Sequence, residues 1–230
     1  MPQSKLDYNL SPTERYSTTR LAQPSILFLT VKRSIDIIGS IVGLIVFSPL
    51  FLLLKIVYMF GDNKGPLLFK QKRVGKNGES FYIYKFRSMI VNAEERLRSD
   101  PQLYQKYIEN NYKLDPEEDP RITKVGKFIR KTSIDEIPQF INVLKGEMSL
   151  VGPRPIVEEE LKEYKGRKRD DFLSVKPGIT GYWQVSGRSE VGYPERVDLE
   201  LYYVYNQSLL FDIKIILKTV LIVLLKRGAY

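Results

Sequence analysis

Apolar and polar positions divide the chain into stretches of different character. From Ile37 to Leu54 eighteen residues run without a charge, bounded by Lys32 and Arg33 before and Lys55 after. At about 1.5 Å per residue such a helix reaches roughly 27 Å, barely the ~30 Å of a hydrocarbon core. Pro49 has no N–H to offer the Ile45 carbonyl, so a bend is expected at Ser48-Pro49, where the Ser48 hydroxyl can bond a freed carbonyl. Basic residues at both ends give no orientation by the positive-inside bias. A helix over 31–60 that enters, bends and returns satisfies both flanks and is the preferred reading; a kinked span is the alternative. Asp36 is then expected at headgroup depth. The preceding extension, 1–30, is polar and aperiodic to about residue 25, with Pro2, Pro12 and Pro24 among many Ser and Thr, and is assigned no function. No small-residue cleavage site follows the apolar run, so removal as a signal peptide is not expected.

A second apolar stretch, LLFDIKIILKTVLIVLL from Leu209 to Leu225, places Lys214 and Lys218 four residues apart and ends in Lys226-Arg227. Over 209–227 it predicts a helix lying in the membrane interface, or else one packed into a soluble core. Between the two, LLFKQKRVG and SFYIYKFRSM flank Asn77-Gly78 and predict a β-hairpin. Asn92 to Tyr112 predicts a solvent-facing helix broken near Asp100-Pro101, followed by the acidic loop LDPEEDPR. Two short helices are expected between Thr123 and Leu150, then a sharp VGPRP turn, a charged helix from Glu158 to Phe172 and a Gly-rich loop, VKPGITGYWQVSGR. The whole reads as an α+β fold: a small, mostly helical domain, 61–230, with a short β-hairpin, on an N-terminal re-entrant membrane helix and interfacial amphipathic helices.

Composition narrows the chemistry. The chain has 230 residues and neither Cys nor His, which excludes disulfides, thiolate nucleophiles and imidazole acid–base catalysis. Carboxylates, Lys, Arg, Tyr, hydroxyls or a hard metal such as Mg²⁺ remain, a set suited to phosphoryl transfer. The net charge of +9 points to an acidic partner: phosphates, an anionic lipid bilayer or nucleic acid. Aromatic residues are plentiful but lie mostly in apolar contexts, and an apolar anchor is unusual for nucleic-acid binding, so no nucleic-acid partner is expected.

The candidate chemistry centres on RKTSIDEIP, residues 130–138. Ser133 and Glu136 match a capping box, which makes Asp135 and Glu136 ordinary first-turn acids; Pro138 suggests instead that the helix begins there. The functional reading has a helix N-terminus keep Asp135 ionised beside cations that gather phosphate, so that a carboxylate can attack phosphorus. Adjacent helical residues diverge by about 100°, which assigns the two acids different roles, one the nucleophile and the other a holder of Mg²⁺. Lys85, Arg87, Arg121, Arg130 and Arg154 are candidate phosphate ligands.

Taken together, KFRSM, DPRITKVGKFIRKTSIDEIPQFINVLKGEMSLVGPRP, VKPGITGYWQVSGR and DLELYYVYN resemble the bacterial sugar transferase family, the monotopic polyprenyl-phosphate phosphoglycosyl transferases. The resemblance runs from about Lys32 to Arg227, and Ser48-Pro49 is similar to the bend of the family's re-entrant helix. It implies that Asp135 attacks the β-phosphate of a UDP-sugar, that UMP leaves, and that undecaprenyl phosphate takes the sugar phosphate from the aspartyl intermediate. It further implies that Asp135 and Glu136 form the Mg²⁺ site, that Lys85, Arg130 and Arg154 engage phosphate or nucleotide, and that Asp212 supports the site. The implied location is the cytoplasmic face of the bacterial inner membrane. Glu200 stands where the family commonly has Asp, and Tyr182-Trp183 departs from the usual Gly-Trp-Ala-Gln. Residues 1–31 hold no further membrane helices, which matches a minimal form. A basic membrane-surface scaffold for polysaccharide assembly is the non-catalytic alternative; the sugar is galactose or glucose by the same resemblance, and a homodimer is left open.

Overall fold

The computed structural model describes residues 24–109, 114–115, 117–187 and 191–225. The extension before Pro24, the helix end at Tyr112 and the terminal Lys226-Arg227 lie outside the described residues.

The first helix, α1 (Ile26–Val57), opens earlier than the boundary expected at 31, because Ser25 caps it by accepting from the Phe28 N–H at 3.1 Å. It remains a single α-helix through Pro49, with no break at Ser48-Pro49. The local defect is absorbed: Ser48 donates to the Ile45 carbonyl at 2.8 Å, the acceptor that Pro49 leaves without an N–H. The polar and small side of α1 faces the protein. Lys32 donates to the Val151 carbonyl and pairs with Asp212, and Arg33 donates to the Val143 and Leu144 carbonyls. Asp36 is buried and accepts from Ser149 Oγ and the Leu150 N–H, so it faces protein and not headgroups. At Gly39 and Gly43 an added Cβ would come within 2.7 Å of Leu150 and 2.8 Å of the Phe140 ring, so a larger residue would have to displace these side chains. Farther along, Leu54 and the following Tyr58 bury against Phe86, Ile129 and Ile137. Both ends of α1 are thereby fixed to one domain, while Ile38, Val42, Ile45 and Val46 face outward.

Strands β1 (Leu68–Val74) and β2 (Ser80–Phe86) pair antiparallel, with Phe69 opposite Lys85 and Arg73 opposite Phe81. Their connection places Asn77 at φ 57° and Gly78 at φ 81°, the left-handed pair that the Asn-Gly dipeptide favours. Helices α2 (Ala93–Arg98) and α3 (Pro101–Glu109) are separated as expected, with Asp100 accepting from the Gln102 and Leu103 N–H groups. After α4 (Lys124–Lys131) and α5 (Gln139–Lys145), a parallel pair of short strands, β3 (Ser149–Val151) and β4 (Gly178–Thr180), brackets α6 (Arg167–Leu173). The charged helix expected over 158–172 is divided: a 3-10 turn (Glu158–Glu163) precedes α6, and Gly166 between them takes φ 53°. Helices α7 (Tyr182–Ser186), α8 (Glu195–Tyr205) and α9 (Leu209–Leu224) complete the fold.

Helix α9 is not a core helix. Only Asp212 and Ile215 are buried along it, whereas Leu210, Leu217, Leu221 and Leu224 are exposed together with Lys214 and Lys218. The result is the α+β, mostly helical architecture expected, with a short hairpin and an apolar N-terminal helix whose outward face suits a membrane.

Candidate active site

Asp135 and Glu136 lie on the 3-10 turn Ile134–Glu136 between α4 and α5. Ile134 and Ile137, on the other side of this turn, pack into the cluster around Phe86 and Leu54, which turns the two carboxylates away from the core. The capping box is not formed: Ser133 stands in the left-handed region at φ 56° without a capping bond, and Pro138 is the N-cap of α5. The helix thus begins at the proline, as the alternative sequence reading has it.

Lys85 reaches the turn from β2. Its Nζ donates to Glu136 Oε1 at 2.9 Å and lies 3.7 Å from Asp135 Oδ2, so the two acids meet on one ammonium instead of diverging. Arg154, in the VGPRP turn, brings its guanidinium to 3.8 Å from Glu136 Oε1. Arg130 donates to Ser88 Oγ at 2.7 Å, and its charge also acts on Asp135. Burial pushes the Asp135 carboxyl up to about 6, with Glu136 adding to the rise and Lys85, Arg130 and Arg154 opposing it. Desolvation thus outweighs the surrounding cations, although a carboxyl at about 6 is still mostly ionised at pH 7.

Lys85, Glu136 and Arg154 border a small cleft, partly open to solvent, whose lining also includes Arg73, Gln139 and Ile179. Two contributors were not foreseen from sequence. Arg73 projects from β1, its guanidinium 3.5 Å from Glu160 and bonded to Gln71; the only signal for it is its place on the same strand face as Gln71. Glu200 is fully buried on α8 and accepts the Arg154 backbone N–H in both oxygens, at 3.2 and 3.1 Å, while burial pushes its carboxyl up to about 7. It anchors the turn that carries Arg154.

Three expected residues stand apart. Arg87 is buried over the Tyr58 ring and donates to the carbonyls of Pro66, Met89 and Asn63, which ties the end of β2 to the loop after α1. Arg121 forms a two-pronged pair with Asp119 at 2.8 Å on each prong and covers Tyr107. Their donors are committed within the fold, so their expected phosphate role is not supported by where they lie. Asp212 pairs with Lys32 at 2.5 Å and accepts from Tyr203 Oη at 2.8 Å, locking α9 to α1 instead of touching Asp135 or Glu136. Among the described residues no group of three or more acidic, His or Cys ligands occurs. The two carboxylates at the cleft nonetheless fit Mg²⁺, which takes hard oxygen donors and needs few from the protein.

Comparison with known proteins places the chain in a family. A family model described as bacterial sugar transferase matches residues 27–226. The chain is 49% identical over 214 residues to an undecaprenyl-phosphate galactose phosphotransferase of Salmonella typhimurium, covering 91% of this chain and 43% of that protein. It is 44% identical over 203 residues to the exopolysaccharide production protein ExoY of Sinorhizobium fredii, covering 86% and 88% respectively. With a UDP-glucose:undecaprenyl-phosphate glucose-1-phosphate transferase of Escherichia coli it shares 37% identity over 207 residues, 87% of this chain and 41% of that one. The chain spans less than half the length of several curated relatives, and its match to the family model extends from the apolar helix through the cleft to α9. It belongs to the bacterial sugar transferase family.

Proposed function

We propose that the chain transfers a sugar 1-phosphate, of galactose or glucose, from a UDP-sugar to undecaprenyl phosphate at the cytoplasmic face of the bacterial inner membrane. The observation that carries this reading is the convergence of Lys85 and Arg154 on the Asp135-Glu136 turn beside one partly open cleft, with the Arg130 charge also acting on Asp135. An Asp135 oxygen bonds to the β-phosphorus, the bond from that phosphorus to the bridging oxygen breaks, and UMP departs with the electron pair. A phosphate oxygen of undecaprenyl phosphate then attacks the same phosphorus and frees the Asp135 carboxylate, yielding undecaprenyl-diphosphate-sugar. Lys85 and Arg154 hold oxygens of the donor's diphosphate and offset the charge that builds there. Asp135 and Glu136 are the residues that would hold Mg²⁺, which supplies further neutralisation of phosphate charge when bound. Relatives named for galactose, glucose and N-acetylgalactosamine transfer support the donor class.

Attachment is proposed to be one-sided. Helix α1 is held to the domain at Lys32 and Arg33 and again at Leu54, so its far end cannot cross a bilayer without the domain following. In detergent or lipid discs, Asp135→Asn is expected to abolish UMP release from UDP-galactose and UDP-glucose while the protein stays membrane-associated. Turnover at the wild-type rate by that variant rules out Asp135 as the nucleophile.

A further inference from the structure

The cleft extends past the groups that surround Asp135. Phe69 is opposite Lys85 and Arg73 is opposite Phe81, so Arg73 and Lys85 share one face of the hairpin, separated along the strands by roughly 13 Å of backbone at about 3.3 Å per residue. Both side chains line the same cleft, and Arg154 lines it with them. Contacts run in sequence: Asp135 and Glu136 flank Lys85, and Glu136 is also 3.8 Å from Arg154. Beyond Arg154 stands Arg73, held from behind by Glu160 at 3.5 Å and by Gln71 Oε1 at 2.6 Å.

Glu160 does not belong to Arg73 alone. Its other oxygen accepts from Tyr193 Oη at 2.9 Å and from Arg196 at 3.0 Å, so one carboxylate serves two guanidiniums. Arg154 is fixed through a different anchor, its backbone N–H on Glu200 and its guanidinium 5.9 Å from the centre of the Trp183 ring. Two guanidiniums are thus held separately at one wall. Burial lowers Arg73 to about 10, and repulsion from the nearby Arg154 charge adds to the drop. An anion between the two would relieve that repulsion, and the forked donors of Arg suit phosphate oxygens.

We infer that Arg73 and Arg154 form a second phosphoryl-binding pair, which takes the inner phosphate of the nucleoside diphosphate while Lys85 and Asp135 engage the outer, sugar-bearing one. This rests on the transferase reading and names the residues that grip the leaving group. When the bond between the outer phosphorus and the bridging oxygen breaks, the electron pair departs on the inner phosphate, beside Arg73. The pair therefore stabilises both the bound donor and the charge on the departing nucleoside monophosphate.

The test compares UMP with uridine on the full-length chain in lipid discs, by calorimetric binding, for wild type, Arg73→Ala and Arg73→Lys. Loss of a charge-assisted contact is expected to weaken UMP about ten- to a hundredfold in Arg73→Ala, with uridine unchanged. Arg73→Lys, which keeps the charge and loses the fork, is expected to fall between; if the Ala variant does not fold, as judged by circular dichroism, Arg73→Lys decides alone. The KM for the UDP-sugar should rise with the same ranking. UMP affinity equal to wild type in the folded variants, or an equal loss of UMP and uridine, overturns the inference. Wild-type protein that binds UMP but releases none from any UDP-sugar in a panel overturns the transferase reading instead, with the binding comparison still judging Arg73.

Discussion

In the proposed reaction Asp135 carries two opposed demands: it must be deprotonated to attack phosphorus, yet it is buried beside a second carboxylate. Its carboxyl is pushed up to about 6 from an ordinary 3.8. Turnover at low substrate should therefore rise with pH through about 6 and level off above it, measured as kcat/KM for UMP release between pH 5 and 8. Lys85 lowers this carboxyl, so Lys85→Met should move the midpoint upward as well as reduce the rate; a downward shift would contradict the assignment. The sign for stability follows from the same shift. The folded protein keeps a proton on Asp135 that the unfolded chain has lost between pH 3.8 and about 6, so stability falls as pH rises through that window. At pH 7 the whole cost is present, and Asp135→Asn removes it. Thermal unfolding of that inactive variant should occur a few degrees above wild type, corresponding to about 1–3 kcal/mol. Glu200 shows a comparable compromise one layer back, buried and raised to about 7 so that Arg154 is held in place.

At the scale of elements, α1 reverses the usual arrangement of a surface helix. Its polar and small positions, Lys32, Arg33, Asp36, Gly39 and Gly43, face protein, and its large apolar residues face out. In water such a helix would expose a broad apolar surface, which soluble proteins avoid. The same face explains why Ser48-Pro49 causes no break: the flanking segments are both seated on the domain, and the single lost hydrogen bond is replaced by the Ser48 hydroxyl. One-sided attachment has a direct test, since the chain contains no Cys and single cysteines report without background. Cysteines at Thr30 and Met59, beyond the two ends of the apolar run and both exposed, should react with a membrane-impermeant maleimide only from the cytoplasmic side of sealed vesicles. Labelling of one from each side would establish a span.

For the whole molecule, the exposed apolar faces of α1 and α9 and a net charge of +9 offer two ways to hold a membrane, with different salt dependence. At 1 M salt the screening length falls to about 3 Å, which removes a purely electrostatic attachment. The protein should nevertheless remain in the membrane fraction through 1 M NaCl and alkaline carbonate and leave only with detergent; release by salt would assign the attachment to charge alone. The apolar run, the Asn77-Gly78 hairpin, the break at Asp100-Pro101 and the Asp135-Glu136 pair were all legible in sequence, because each depends on neighbours a few residues apart. Periodicity and turn chemistry sufficed to indicate an α+β fold with a long apolar N-terminal helix, and the absence of Cys and His pointed to phosphoryl transfer as the expected chemistry. Tertiary structure alone decided which cations serve the cleft. Arg87 and Arg121 read in sequence much as Arg130 and Arg154 do, but carbonyls and Asp119 brought from other segments claim the first two. Arg73 and Glu200 gain their significance from strand register and from the packing of α8 behind the VGPRP turn. Long-range contacts of this kind also set the proton affinity of Asp135, since desolvation depends on what the rest of the chain places around a carboxylate and not on the residues beside it in sequence.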